Sequence, residues 1–318
     1  MNDTPETTDL PTDRGAGMSP PPRISVVIPA YNRAALIGRA VRSVLAQDVP
    51  VHEILVVDDG SSDDLAGALA PFGAGVRVLR HAINQGAAAA RNTGLAAARG
   101  SMIAFLDSDD AWKPGKLAAQ LAFMQGHGLT ISCTGFELVA PTPGAEPRAA
   151  RRPYASRLTA EDVAWGCYTS PGSTLIAARE ALLACGGYDT AFPRYEDWDL
   201  LVRLEARFPG ALGFCPAVLA TIHLGGRPAP ALALAGLERM EARHGSEFRA
   251  RSRRLTRSFQ AGLAFNRAAT WASAGQPARA VGGLLRCFSL APWGNGAVWA
   301  ILADRVRRRK EAARPSSP

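Results

Sequence analysis

The sequence predicts an α/β fold: a Rossmann-like, mostly parallel sheet with helices on both faces, followed by a helical C-terminal appendage. Three features carry this expectation. Short runs of β-branched and apolar residues lack polar alternation, so they read as strands covered on both faces. Apolar residues at helical spacing fill the intervals, and the two patterns alternate four times up to Leu106. Beyond Gly226 the chain turns to segments rich in Ala, Leu and Arg with helical character.

Ile24–Ile28, closed by Pro29, is the first predicted strand. Leu36, Ile37, Ala40, Val41, Val44 and Leu45 then share a helical face, and Ile54–Val57 is a strand ending in Asp58-Asp59-Gly60. A helix near Asp63–Ala70, a strand at Val76–Arg80, an Ala-rich helix over Gly86–Arg99 and a strand at Met102–Leu106 follow. Trp112-Lys113-Pro114 reads as the start of the next helix, Leu129–Val139 as a strand and Ala140–Pro153 as an aperiodic insertion. Gly172–Ala178 predicts a strand, Arg179–Ala184 a short helix, and Glu196 the start of an acidic helix. Ala278, Ala280, Val281, Leu284 and Leu285 form a late helical stripe. The expected organisation is a leader over 1–22, an α/β domain over 23–225 and a basic, mostly helical extension over 226–318.

Composition narrows the function classes. Residues 1–22 are polar and lack the basic start and apolar segment of a signal peptide, which predicts a disordered leader. Five scattered cysteines with no C-x-x-C argue against a disulfide framework and a zinc site, and they point to a reducing cytoplasm. Cys287–Ala303 is uncharged but interrupted by Pro and Gly, and shorter than the about 20 apolar residues of a membrane span. The formal charge is +8, yet 17 Arg and Lys against 5 Asp and Glu lie beyond Gly226, so the basic character belongs to the extension.

Right-handed crossovers bring the carboxyl ends of parallel strands to one edge, where ligands bind. Four polar segments meet there: Pro29-Ala-Tyr-Asn32, Asp58-Asp59, Asn84-Gln-Gly86 and Asp107-Ser-Asp109. Adjacent carboxylates after a buried strand repel one another, so Asp107 and Asp109 predict a hard cation, Mg2+ or Mn2+, with Ser108 assigned to the same ligand. Asp and Ser also build turns and N-caps, which is the competing reading. Asp58 and Asp59 are either fixed acceptors for a base edge or ribose hydroxyl, or part of a turn in which Ser61 and Ser62 cap the next helix. Tyr31 offers a stacking face beside Pro29 and Asn32. Asn84 and Gly86 open a helix carrying Arg91, which reads as a phosphate or base contact and as an ion-pair partner of the nearby carboxylates.

A second acidic group, Glu196-Asp197-Trp198-Asp199, starts a helix, where the helix dipole favours negative charge. Asp199 and Arg203 are spaced for a surface pair, whereas Asp197 follows a loop through Gly186–Asp189 and Phe192 and is the candidate general base toward an acceptor hydroxyl. His223 reads as a structural residue or as a metal or phosphate ligand. Arg305–Lys310 reads as a solvated face or as a peripheral contact with an anionic membrane. The Arg-rich end lacks the aromatic interleaving of single-strand platforms, so no nucleic-acid partner is expected.

With Val27-Ile-Pro-Ala-Tyr-Asn-Arg33, Val56-Val-Asp-Asp-Gly-Ser-Ser-Asp63, Asn84-Gln-Gly with Ala90-Arg-Asn-Thr-Gly94, Phe105-Leu-Asp-Ser-Asp-Asp110 and Glu196-Asp-Trp-Asp199 in this order, residues 23–225 resemble family 2 glycosyltransferases. The resemblance implies a GT-A fold, a nucleotide-sugar donor, a divalent metal and inversion at the anomeric carbon. It further implies that Asp59 with Pro29 and Tyr31 holds the nucleoside, that Asp107 and Asp109 bind ribose, diphosphate and metal, and that Asp197 is the base. No Q-x-x-R-W pattern is present, so a single sugar transfer, from a UDP-linked donor to a glycan or lipid-linked acceptor, is expected. Cys167–Ser173 and Tyr188–Tyr195 are the expected specificity loops. The rival reading is a catalytically silent nucleotide-sugar-binding scaffold acting through its basic C-terminal helices.

Overall fold

A computed structural model describes residues 22–141, 146–150, 154–225 and 229–292. The predicted alternation is present as β1 (Ile24–Ala30), α1 (Ala34–Leu45), β2 (Glu53–Asp58), α2 (Leu65–Leu69), β3 (Arg77–Arg80), α3 (Ala87–Ala97) and β4 (Met102–Phe105). Next come β5 (Ala111–Trp112), α4 (Lys116–His127), β6 (Ile131–Val139), β7 (Arg148–Ala149), α5 (Ala160–Trp165), α6 (Pro171–Thr174) and β8 (Ile176–Ala178). The chain continues through α7 (Arg179–Ala184), α8 (Glu196–Arg207), β9 (Leu212–His223), α9 (Pro230–Arg251), α10 (Arg253–Ser273) and α11 (Pro277–Leu290).

The strands form one sheet in the order β3-β2-β1-β4-β8-β6-β9-β5, with β7 beside β6. β1 to β4, β6 and β9 share one direction, and β5, β7 and β8 oppose them. Uniformly apolar strands divide their side chains between two cores: Val27, Leu55, Ile103 and Phe105 enter one, while Val26, Ile28, Ile54, Val56 and Ala104 enter the other. Val27 pairs with Phe105 and Ala30 with Asp58, so β1, β2 and β4 release their chains at one edge of the sheet.

Tertiary context overrides the sequence pattern at three places. Trp112 does not start a helix: its backbone pairs with Ala220 of β9, its indole Nε1 donates to Ser173 O at 2.8 Å, and α4 begins only after Gly115. Gly172–Ala178 is split, because Pro171 opens the single turn α6 before the chain extends into β8. The 12-residue β9 escapes the pattern, since Pro216 interrupts its apolar run where the β6–β9 register shifts. α5 was readable, for Thr159 and Asp162 form a reciprocal capping box.

Leu237, Met240, Phe248, Phe259 and Leu263 from α9 and α10 join the same core as β4 and α8, so these helices close one face of the sheet domain. The expected leader lies outside the described residues except for Pro22, as do parts of the 140–153 insertion and all of Arg305–Lys310. Among the described residues no helix is long and apolar enough to cross a membrane.

Candidate active site

A cavity of about 490 Å3 opens at the carboxyl edge of β1, β2 and β4. Pro29, Tyr31, Asn32, Asp59, Asn84, Gly86, Arg91, Asp107, Ser108 and Asp109 all line it, so ten of the expected residues converge. Asp58 does not: it is buried, accepts from Ser61 N at 2.8 Å and pairs with Arg80 at 3.0 Å, holding the strand-end turn.

Local hydrogen bonds shape the nucleoside end. Asp59 Oδ1 accepts from Gln85 N at 2.9 Å and lies 2.6 Å from His81 Nδ1, while Oδ2 accepts from Gly86 N at 2.7 Å. One lone-pair position on Oδ2 is therefore left for a ligand N–H or O–H. His81 Nε2 reaches Thr93 Oγ1 at 2.8 Å, tying this carboxylate to α3. Sequence reasoning missed His81, since a lone His before a loop carries no pattern. Asn32 adopts a left-handed backbone (φ 51°), and its Oδ1 accepts from Ser62 N at 2.8 Å. Ser61 and Ser62 thus clasp Asn32 and do not cap α2, a task done by Asp64 through Gly67 N at 2.8 Å. Tyr31, 45% exposed, lines the cavity.

The carboxylates after β4 take three directions. Asp107 accepts from Arg91 Nη2 at 2.7 Å. Asp109 faces the cavity with Arg33 Nε 3.8 Å away; burial and repulsion from Asp107 raise its pKa. Asp110 turns inward to Ser173 Oγ at 2.5 Å and His223 N at 2.8 Å, and burial with the Asp107 charge pushes it up to about 8. Part of the repulsion expected of this cluster is thus relieved by Arg91 and by the inward turn of Asp110.

Among the described residues no group of three or more His, Cys, Asp or Glu forms a metal cage. The donor set nevertheless fits Mg2+ or Mn2+ as carried by a diphosphate, because such ions need only one or two protein carboxylates and take the remaining oxygens from phosphate and water. Asp107 and Asp109 at one cavity wall supply those two, and burial together with the Asp107 charge raises the Asp109 pKa, a pressure that a cation would relieve. His223 does not line the cavity. Its Nδ1 is buried without a partner, and burial together with Arg39 lowers its pKa, which keeps the ring neutral at pH 7.

Arg91 joins this cavity to the second acidic group. It is 4% exposed, and its other nitrogen reaches Glu196 Oε1 at 3.3 Å and Asp197 Oδ1 at 3.9 Å. Burial opposes its charge, yet Asp107 and Asp197 hold it protonated well above the usual arginine range. Gly172 makes room for the joint: a Cβ there would lie 2.5 Å from Asp107 Oδ2 and 2.9 Å from Arg91 Nη2. Asp197 lines a smaller cavity of about 220 Å3 with Cys167, Ser170, Pro171, Arg194 and Tyr195, residues of the two expected specificity loops. Its Oδ1 has no hydrogen-bond partner, and burial, only partly offset by Arg91, pushes its pKa up to about 7. Ser170 (φ 49°) and Tyr195 (φ 70°) share with Asn32 the positive backbone angles of non-glycine residues, so all three such residues among those described line the two cavities.

The C-terminal helices brace this second cavity. Asp199 is fully buried and no surface residue: it accepts from Arg203 at 2.6 Å, and Arg243 Nε and His244 Nε2 of α9 lie 2.9 and 2.8 Å from its Oδ1. Arg239 and Arg243 both reach Asp189 at 2.9 Å. Gly236 lets α9 approach the loop before Asp197, since a Cβ would meet Arg194 O at 2.5 Å.

The profile of Glycosyl transferase family 2 matches residues 25–182. This domain belongs to glycosyl transferase family 2. The putative teichuronic acid biosynthesis glycosyltransferase TuaG of Bacillus subtilis is 42% identical over 122 residues, covering 37% of this chain and 48% of that protein. The UDP-Glc:alpha-D-GlcNAc-diphosphoundecaprenol beta-1,3-glucosyltransferase WfgD of Escherichia coli is 37% identical over 117 residues, covering 36% of this chain and 46% of that protein. Each match spans about half the length of these relatives. The crystal structure of S. aureus TarS 1-349 superposes with a TM-score of 0.63 over 83% of this chain and 80% of that one at 18% identity, which shows a shared GT-A fold.

Proposed function

We propose that the protein transfers a sugar from a UDP-linked donor to an acceptor hydroxyl, with inversion, in polysaccharide or cell-envelope glycan synthesis. The carrying observation is the pairing of a nucleotide-sized cavity with a half-buried carboxylate beyond it, Asp197, whose Oδ1 accepts no hydrogen bond and stands 3.9 Å from the Arg91 that also holds Asp107. The naming of TuaG and WfgD supports the glycan setting, and WfgD supports a UDP-sugar and a lipid-linked acceptor. Five free cysteines support a reducing, cytoplasmic setting.

In this reading Tyr31 stacks on the base while Pro29 shapes the same wall, and the remaining lone pair of Asp59 Oδ2 accepts from the base edge. Asp107 and Asp109 would hold Mg2+ or Mn2+, which offsets the charge that develops on the departing diphosphate. Ser170, Tyr195 and Arg194 contact the acceptor. Asp197 takes the proton as the acceptor oxygen bonds to the anomeric carbon and the bond to the diphosphate oxygen breaks on the opposite face. A residue poised near pH 7 is matched to that task. Arg91 keeps Asp107 and the base in register. The His223 imidazole lies outside the cavity lining but within the field of Asp109, and its neutral ring is a further candidate metal or phosphate contact.

The deciding measurement is UDP release from UDP-sugars with Mn2+ and a panel of glycan and undecaprenyl-linked acceptors. Turnover with an inverted linkage by NMR is expected. Nucleotide binding without turnover on any acceptor favours the scaffold reading.

A further inference from the structure

His81 stands behind the nucleoside end of the large cavity without lining it, and no step of the transfer proposed above uses it. Its side chain is 10% exposed. Nδ1 lies 2.6 Å from Asp59 Oδ1, and Nε2 lies 2.8 Å from Thr93 Oγ1 of α3. The Asp59 carboxylate accepts a backbone N–H on each oxygen, Gln85 N on Oδ1 at 2.9 Å and Gly86 N on Oδ2 at 2.7 Å, so Nδ1 is the donor toward it. A carboxylate offers about four lone-pair positions, two on each oxygen. Both positions on Oδ1 are therefore taken, one on Oδ2 is taken and one on Oδ2 is open.

A single open acceptor separates the nucleobases by their hydrogen-bonding edges. Uracil presents one imide N–H between two carbonyls, and one acceptor satisfies it. Guanine presents an imino N–H and an amino N–H side by side, which a carboxylate answers only with both oxygens, and Oδ1 of Asp59 is already saturated. Cytosine and adenine turn a ring-nitrogen lone pair toward the carboxylate. A polar group left unpaired or repelled on entering the site is what separates such ligands in affinity. Resting on the nucleotide-sugar reading, we propose that His81 is the positioning residue for the donor base. Held between Asp59 and Thr93, it keeps the carboxylate turned so that Oδ2 alone meets the base, and it thereby selects uracil over guanine. Thr93 lies two residues from Arg91 on α3, so one helix fixes both the base-reading carboxylate and Asp107.

The test is calorimetric titration of the full chain with UDP, GDP and CDP in the presence of Mn2+. UDP is expected to bind at least about tenfold tighter than GDP and CDP. His81→Val should weaken UDP about tenfold and narrow its lead over GDP to about threefold or less. His81→Asn, which returns a side-chain N–H to the Nδ1 position, should restore most of that lead. Thr93→Val keeps the ring but removes its second hydrogen bond, so it should narrow the lead by a smaller factor, about twofold. The Thr93 variant gives the same readout if His81→Val does not fold, which circular dichroism checks. A residue that only supported the fold would weaken all three nucleotides equally, and that result overturns the assignment. So does wild-type chain that binds GDP as tightly as UDP, an outcome that leaves the nucleotide-sugar reading standing. Wild-type chain that binds none of the three overturns that reading and the role of His81 together.

Discussion

One guanidinium spans both halves of the site: Arg91 donates to Asp107 Oδ1 at 2.7 Å, and its second terminal nitrogen stands 3.9 Å from Asp197 Oδ1. The residue that secures the donor-side carboxylate therefore also sets the field at the base. Because Arg91 is buried, its charge is compensated by these carboxylates, by Glu196 and by the Tyr188 ring 5.1 Å away. Arg91→Met is expected to cost about 1–3 kcal/mol of stability by removing the buried cation shared by the half-buried Asp107, Glu196 and Asp197, read as a lowered denaturation midpoint.

Asp197→Asn should lower kcat by about 10²–10⁴-fold with donor affinity unchanged, measured by single-turnover transfer and by UDP calorimetry. Equal rates in mutant and wild type would sink the assignment.

The pH profile follows from the same residue. A base pushed up to about 7 is charged only above that pH, so transfer should rise with pH and level off beyond 7. Stability runs the other way. The folded state holds this proton between the ordinary carboxylate range and pH 7 while the unfolded chain has released it, so Asp197 weakens the fold as pH rises through that window. Asp197→Asn should flatten both slopes.

Gly172→Ala places a Cβ against Asp107 and Arg91, so it should destabilise by about 1–3 kcal/mol and reduce transfer together with metal-dependent UDP binding. Thermal melting and calorimetry on the same preparation check this. Asp109→Ala should abolish the metal dependence of UDP binding and leave the fold intact, since among the described residues the Asp109 carboxylate has one ion-pair contact, the long one to Arg33, and the Arg39 bond is to the backbone carbonyl, which the substitution keeps.

His244 anchors α9 to Asp199. Burial disfavours its charge, but the hydrogen bonds to Asp199 and Glu247 raise its pKa. The stabilisation is fully present below the unfolded histidine range and is lost as pH rises through the folded value. His244→Ala should remove this pH dependence of the melting temperature and loosen the first turn of α8, which carries Asp197 and Asp199, read as a fall in kcat.

Much of the donor half was legible because it is local. β1, β2 and β4 are short apolar strands, and each hands a polar motif to the same sheet edge by topology alone. Asp59, Asn84, Gly86 and Asp107 were readable for that reason. His81, Gly172 and His244 were not: each acts on a residue far off in sequence, Asp59, Asp107 and Asp199, and none sits in a periodic or turn pattern. The misread Trp112 has the same cause, since β9, its pairing partner, lies more than a hundred residues away.

The sequence by itself determined the alternation of strands and helices, the edge where ligands meet and the chemistry of the residues delivered there, because hydrophobic period and strand ends are local properties. Only the tertiary structure decided which carboxylates are free. Asp58, Asp110 and Asp199 are consumed by Arg80, Ser173 and the α8–α9 contacts, while Asp109 and Asp197 keep open oxygens, and that division depends on burial and on partners brought together by packing.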